Sequence, residues 1–131
     1  MDKILITQST DKSFGATIEA LKAAVVANKF GVVHVHDLQQ LMQDKGLVFE
    51  RKCKVMEVCN PHTAQRVLGI DMGVSSFLPC RISVYEEGGK TIMATLKPSI
   101  VLATFDAKDI PAIALEVEAT LIRIMQEAAA T

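Results

Sequence analysis

Two cysteines stand beside residues that redirect a backbone, in Cys59-Asn60-Pro61 and Pro79-Cys80-Arg81. Asn is a preferred helix cap and Pro is pre-set for the first helical turn, so Asn60-Pro61 predicts a helix start. A thiol just ahead of that start meets the positive end of the helix, which favours the thiolate and lowers its pKa. His62, in the first turn, is a further neighbour for that thiolate. The chemistry this points to is redox or sulfur transfer through Cys59.

The third cysteine, Cys53, shares a strand with Cys59. Six residues of strand span about 20 Å at roughly 3.3 Å per residue, whereas a disulfide needs Cα atoms within about 7 Å. That pair is excluded. Cys59 and Cys80 differ, because one ends a strand and the other begins the next. Antiparallel neighbours would bring both thiols to one end of a sheet; a parallel crossover would send them to opposite ends. The alternative to a shared thiol site is two small buried hydrophobes, a common role of free cysteine. Arg81 should face away from Cys80 and either pair with Glu57 or Glu86 or bind an anionic ligand. The ligand-binding candidates are thus Cys59, Asn60, Cys80 and Arg81.

His34 and His36 share a strand face, and with His62 they are weak candidates for a mixed Cys/His site for zinc, iron or haem. No Cys-x-x-Cys or His-Glu-x-x-His spacing supports one, and no cofactor is predicted. Gly-x-Gly-x-x-Gly, Gly-Lys-Ser/Thr and Gly-x-Ser-x-Gly are all missing, which argues against a nucleotide enzyme or a serine hydrolase.

The elements that must position these residues come from a chain of 131 residues, 50% hydrophobic and 22% charged, with net charge −1. That is one domain, residues 1–131. There is no Trp and a single Tyr, Tyr85, so stacking platforms for nucleic acid are poorly supplied. No apolar run reaches the roughly 18 residues a membrane span needs. The N-terminal run from Met1 to Thr7 is too short for a signal peptide. An odd cysteine count argues against a secreted disulfide framework. A cytoplasmic protein, bound to neither membrane nor nucleic acid, is the expectation. Lys52 and Lys54 read as the lysines of an exposed strand edge.

Ile4–Thr7 reads as a strand, followed by a helix capped by Ser13 with Phe14, Ile18, Leu21 and Val25 on one face. Val32–His36 is a second strand. Asp37 to Gln40 resembles a capping box, with Gln40 reaching back to the cap. The short helix there carries Leu38, Leu41 and Met42, and Gly46 stops it. Lys52–Cys59 alternates, with Cys53, Val55, Glu57 and Cys59 on one face and Lys52, Lys54, Met56 and Val58 on the other. Ala64, Val67 and Leu68 mark the helix after Pro61, ended by Gly69. Residues 70–78 show no period and read as loop. Cys80–Tyr85 and Thr91–Leu96 flank Gly88-Gly89 as a hairpin. The last helix has Asp109 as cap, Pro111 in its first turn and a long apolar stripe of Ile110, Ile113, Ala114, Val117, Leu121, Ile124 and Ala128. A second stripe, Leu115, Ala119 and Ile122, predicts contact with another subunit. The order β-α-β-α-β-α-β-β-α indicates an α+β fold, a largely antiparallel sheet covered by helices.

Glu57-Val58-Cys59-Asn60-Pro61, Leu78-Pro79-Cys80-Arg81 with Ile82 to Glu86, then Gly89 and Pro98, together resemble domain-of-unknown-function family 302. The resemblance runs from about Phe14 to Pro98. It implies an α+β fold related to the TATA-binding-protein topology, a curved antiparallel sheet and a homodimer, with no implied DNA binding and no implied reaction. The expectation is a small binding or sensing domain with a site near Cys59 and Cys80 and a small-molecule ligand. The alternatives are a thiol enzyme acting through Cys59 and a homodimeric interaction module without ligand.

Overall fold

Alternating apolar residues build five strands: β1 (Leu5–Thr10), β2 (Gly31–Asp37), β3 (Cys53–Cys59), β4 (Cys80–Glu87) and β5 (Lys90–Leu96). The computed structural model, which describes residues 4–130, joins them in one sheet of order β1-β5-β4-β3-β2. Every neighbouring pair is antiparallel. The helices among the described residues are α1 (Phe14–Ala27), α2 (Leu38–Asp44), α3 (Pro61–Ile70), α4 (Pro98–Val101) and α5 (Ile110–Ala130). The class is α+β as expected, with α4 and two short 3-10 turns added to the expected order. None of these helices is long and apolar enough to cross a membrane. The N-terminal run set against a signal peptide begins with Met1–Lys3, outside the described residues.

The expected hairpin is β4–β5. Glu87 pairs with Lys90, and Gly88 and Gly89 between them have φ of 62° and 79°. A two-residue turn with positive φ at both positions matches the twist of its strands, and glycine adopts it at little steric cost. Ser13 caps α1 by accepting the Ala16 N–H at 3.1 Å, and Phe14, Ile18, Leu21 and Val25 are all buried.

Local expectations fail where the tertiary fold decides. β3 lies between β4 and β2, so Lys52 and Lys54 do not mark an exposed edge. Lys54 is half-buried within β3, and the Lys52 ammonium lies 5.9 Å from the centroid of the Phe14 ring. The edges are β1 and β2, and β2 is bulged between Val32 and His34, a device that protects an edge from further pairing. Asp37 does cap α2, accepting the Gln40 N–H at 3.0 Å. The Gln40 side chain, however, donates forward to Asp44 at 2.8 Å instead of closing the capping box. No residue of α2 is fully buried.

The segment expected as loop between Gly69 and Pro79 contains a 3-10 turn, Met72–Ser76, with Val74 fully buried. Asp71 accepts the Gly73 N–H at 2.8 Å, and the Ser76 hydroxyl donates to the Gly73 carbonyl at 2.6 Å. Five residues held by such side-chain bonds are too few to show a period. The Leu78–Pro79 peptide that follows is cis.

α1 and α5 cover the sheet face that carries Met56, Val58, Ile82, Val84 and Met93, all at 0% exposure. The opposite face carries His34, His36, Glu57 and Arg81. A second cluster, centred on Val67, Val74, Leu102 and Ile113, fills the space between α3, α4 and the start of α5. Phe77, Leu78 and Val117 are packed against both clusters. Leu21 and Leu121 are both at 0% exposure in the main cluster. Leu21→Ala and Leu121→Ala should each lower the free energy of unfolding by about 2–5 kcal/mol. Urea unfolding followed by circular dichroism is the check, with a lower midpoint at unchanged slope expected.

Candidate functional site

Val58 pairs with Cys80 across β3 and β4. The two strands are antiparallel neighbours, so Cys59 and Cys80 stand at the same end of the sheet. Both line a cleft at the seam between the two core clusters. Its walls come from α3 (Ala64, Val67), the 3-10 turn (Val74), α4 (Pro98) and α5 (Ala114, Val117). Apart from the thiols, only Asn60 and Thr63 bring polar side chains to the wall. The cleft, counted together with the solvent at its opening, holds about 440 Å³ of empty space. It is narrow and almost wholly apolar. Water inside would find few partners there, so an apolar occupant displaces it favourably.

Asn60 caps α3 as its sequence position predicts. Its Oδ1 accepts the N–H of His62 at 3.0 Å and of Thr63 at 3.3 Å, and the Ala64 N–H is bonded to the Asn60 carbonyl. The N–H groups expected to stabilise a Cys59 thiolate are therefore already engaged. Burial pushes the Cys59 thiol up, not down. Cys80, at 5% exposure, is pushed up to about 12, mainly by burial and then by the charge of Cys59. An apolar shell penalises the thiolate more than one helix end rewards it. This corrects the expected lowering, and with it goes the ground for reading Cys59 as an activated nucleophile.

The four ligand-binding candidates separate. Cys59, Asn60 and Cys80 line the cleft, while Arg81 does not. Arg81 points to the other sheet face, where its Nε lies 3.4 Å from Glu57 Oε2. His36 Nε2 is 3.3 Å from the same oxygen. The hydrogen bond from His36 is the main cause holding the Glu57 carboxyl below its ordinary value; burial opposes this, and the charges of His36 and Arg81 assist it. His34 and His36 make an edge-to-face pair with centroids 4.4 Å apart. Exposed His62 lies at the start of α3. The three histidines and the cysteines thus do not converge, and no group of three or more His, Cys, Asp or Glu among the described residues is placed to hold a metal ion. Cys53 is at the far end of β3, opposite Tyr85.

Sequence reasoning missed most of the cleft wall. Val74 lay in the supposed loop, and Ala114 and Val117 read only as core stripe. Nothing in their spacing distinguishes the lining of a slot from the filling of a core.

Residues 6–128 match the family described as domain of unknown function DUF302. The fold is similar to the crystal structure of an uncharacterised conserved DUF302 protein from Bacillus stearothermophilus, with 30% sequence identity and a TM-score of 0.92. That likeness covers 97% of this chain and 99% of the other. No curated protein matches the chain.

The raised thiols have a consequence for alkaline stability. A thiol whose folded pKa lies above its unfolded value keeps its proton longer in the folded state. Its contribution is full below about pH 8.5, the free-thiol value, and is lost as pH rises toward the folded value of about 12. Unfolding free energy should therefore fall above pH 8.5, Cys80 alone contributing a slope of up to about 1.4 kcal/mol per pH unit. Denaturant melts of wild type and Cys80→Ala between pH 7 and about 10.5 test this, and a shallower decline is expected in the variant.

Proposed function

The chain belongs to the DUF302 family of domains of unknown function, and from that premise we propose that it is a small ligand-binding domain whose site is the seam cleft at Cys59 and Cys80. The observation that carries this reading is the cleft itself. Two clusters meet along α5, and at their junction a narrow apolar slot is left, with Asn60 and Thr63 as the polar residues of its wall besides the thiols. Interiors are close-packed, and voids larger than a water are few per domain. The ligand that fits is thin and largely apolar, with any polar end at the mouth. The thiols favour this reading over a thiol-enzyme reading, because burial keeps both protonated at neutral pH.

A straight-chain alcohol, n-octanol, is a suitable probe. It should raise the melting temperature of the wild-type protein, since a ligand at about 100 times its Kd stabilises the folded state by about 2.7 kcal/mol. Ala64→Leu, which extends a half-buried wall residue into the slot, should abolish most of that rise. No rise in wild type, or an equal rise in Ala64→Leu, would sink the cleft as a site.

A second reading, a homodimer, is favoured by the second stripe of α5. Leu115 is 58% exposed and Ala119 is also exposed, with Ile122 half-buried beside them. A second copy of the chain is the occupant proposed for this strip, since the same stripe meets itself across a two-fold axis. Light scattering should give twice the chain mass of 14.2 kDa, and Leu115→Asp should return it to the single-chain value. A wild-type monomer would dismiss this reading.

A further inference from the structure

The walls of the seam cleft carry no charge. No Asp, Glu, Lys, Arg or His among the described residues lines it. Arg66 of α3 is exposed and paired with Glu116 at 3.3 Å, and Arg81 lies on the other sheet face with Glu57. The thiols of Cys59 and Cys80 add no charge, since burial raises both. The start of α3 could hold an anion only through N–H groups that are still free. None is free there. Pro61 has no N–H, Asn60 Oδ1 accepts from His62 and Thr63, and the Ala64 N–H is bonded to the Asn60 carbonyl. A carboxylate drawn into this wall would lose its water and meet no cation, at a cost far above that of a neutral group.

What the wall does supply is hydrogen-bond donors. Only the oxygen of the Asn60 amide can accept N–H groups, so the cap fixes Oδ1 toward the helix and leaves Nδ2, with its two hydrogens, over. Nδ2 donates to no described residue, and the half-buried Thr63 hydroxyl bonds to none either. We propose that the seam cleft selects an uncharged ligand with an apolar chain and a carbonyl oxygen, a ketone or an ester, whose oxygen accepts from Asn60 Nδ2 and Thr63 Oγ1. The inference rests on the cleft being the ligand site and adds which ligands it takes. A carbonyl oxygen only accepts, so it brings no further donor into the apolar wall. A carboxylate of the same chain length is rejected, because only its charge differs.

The test is an NMR titration of isotope-labelled protein at about pH 7.5, where a carboxyl is ionised. The amides of Ala64, Val67 and Val117 report on the cleft, and the probes are methyl octanoate, octanoate and n-octanol. Methyl octanoate should bind on the order of 100-fold more tightly than octanoate. Asn60→Asp keeps the capping oxygen and removes the donor, since Asp caps as well as Asn. It should weaken the ester about tenfold, and Thr63→Val, which removes the hydroxyl at similar volume, should do much the same. Octanoate held as tightly as the ester would overturn the proposal. So would ester binding unchanged in Asn60→Asp or, should that variant not fold, in Thr63→Val. The n-octanol arm separates this inference from the reading beneath it. If n-octanol shifts the cleft amides while the ester is not preferred to octanoate, the selectivity falls and the cleft stays a site. If none of the three probes shifts them, the cleft falls and this inference falls with it.

Discussion

α5 is the one helix that both cores share, and the rest of the structure is arranged around its stripe. Its first turns place Ile110, Ile113 and Ala114 in the smaller cluster. Its later turns place Leu121, Ile124, Met125 and Ala128 in the main cluster against the sheet. Val117 lies between and touches both. A single helical face of 3.6-residue period can bury its length only if something apolar meets it all the way along. The sheet meets the later part. α3, the 3-10 turn and α4 assemble over the earlier part, and the cleft lies where one partner gives way to the other.

That arrangement explains the electrostatics of the cysteines. The end of β3 and the start of β4 run beneath the seam, so their terminal residues inherit apolar surroundings. The local signal at Asn60-Pro61 is real: the helix starts there and Asn60 caps it. Yet a cap that satisfies the first N–H groups leaves less for a neighbouring thiolate, and desolvation then governs. Arg81, one residue along from Cys80, meets the opposite situation. The strand pleat turns it to the polar face, where Glu57 and His36 supply partners.

The glycine hairpin, the Ser13 and Asn60 caps, the buried stripe of α1 and the long α5 were legible because each depends on residues a few positions apart. The same holds for the alternation of β3, whose Met56 and Val58 face the core. What misled was context. Lys52 and Lys54 looked like an edge because lysine often marks one, but strand order is set by pairings remote in sequence, and here β2 takes the edge. The segment after Gly69 looked formless because its order comes from Asp71, Ser76 and a buried Val74, not from a repeat.

The sequence by itself determined the elements, the α+β class and the placing of two cysteines at strand ends, since propensity, capping and turn chemistry act locally. Only the tertiary structure decided that β3 and β4 are antiparallel neighbours, that Cys59 and Cys80 consequently share a cleft, and that Arg81 does not. It alone decided the sign of the thiol shifts. Burial depends on every chain segment that closes around a group, and for these thiols those segments are α3, the 3-10 turn, α4 and α5, drawn from more than fifty residues of intervening sequence.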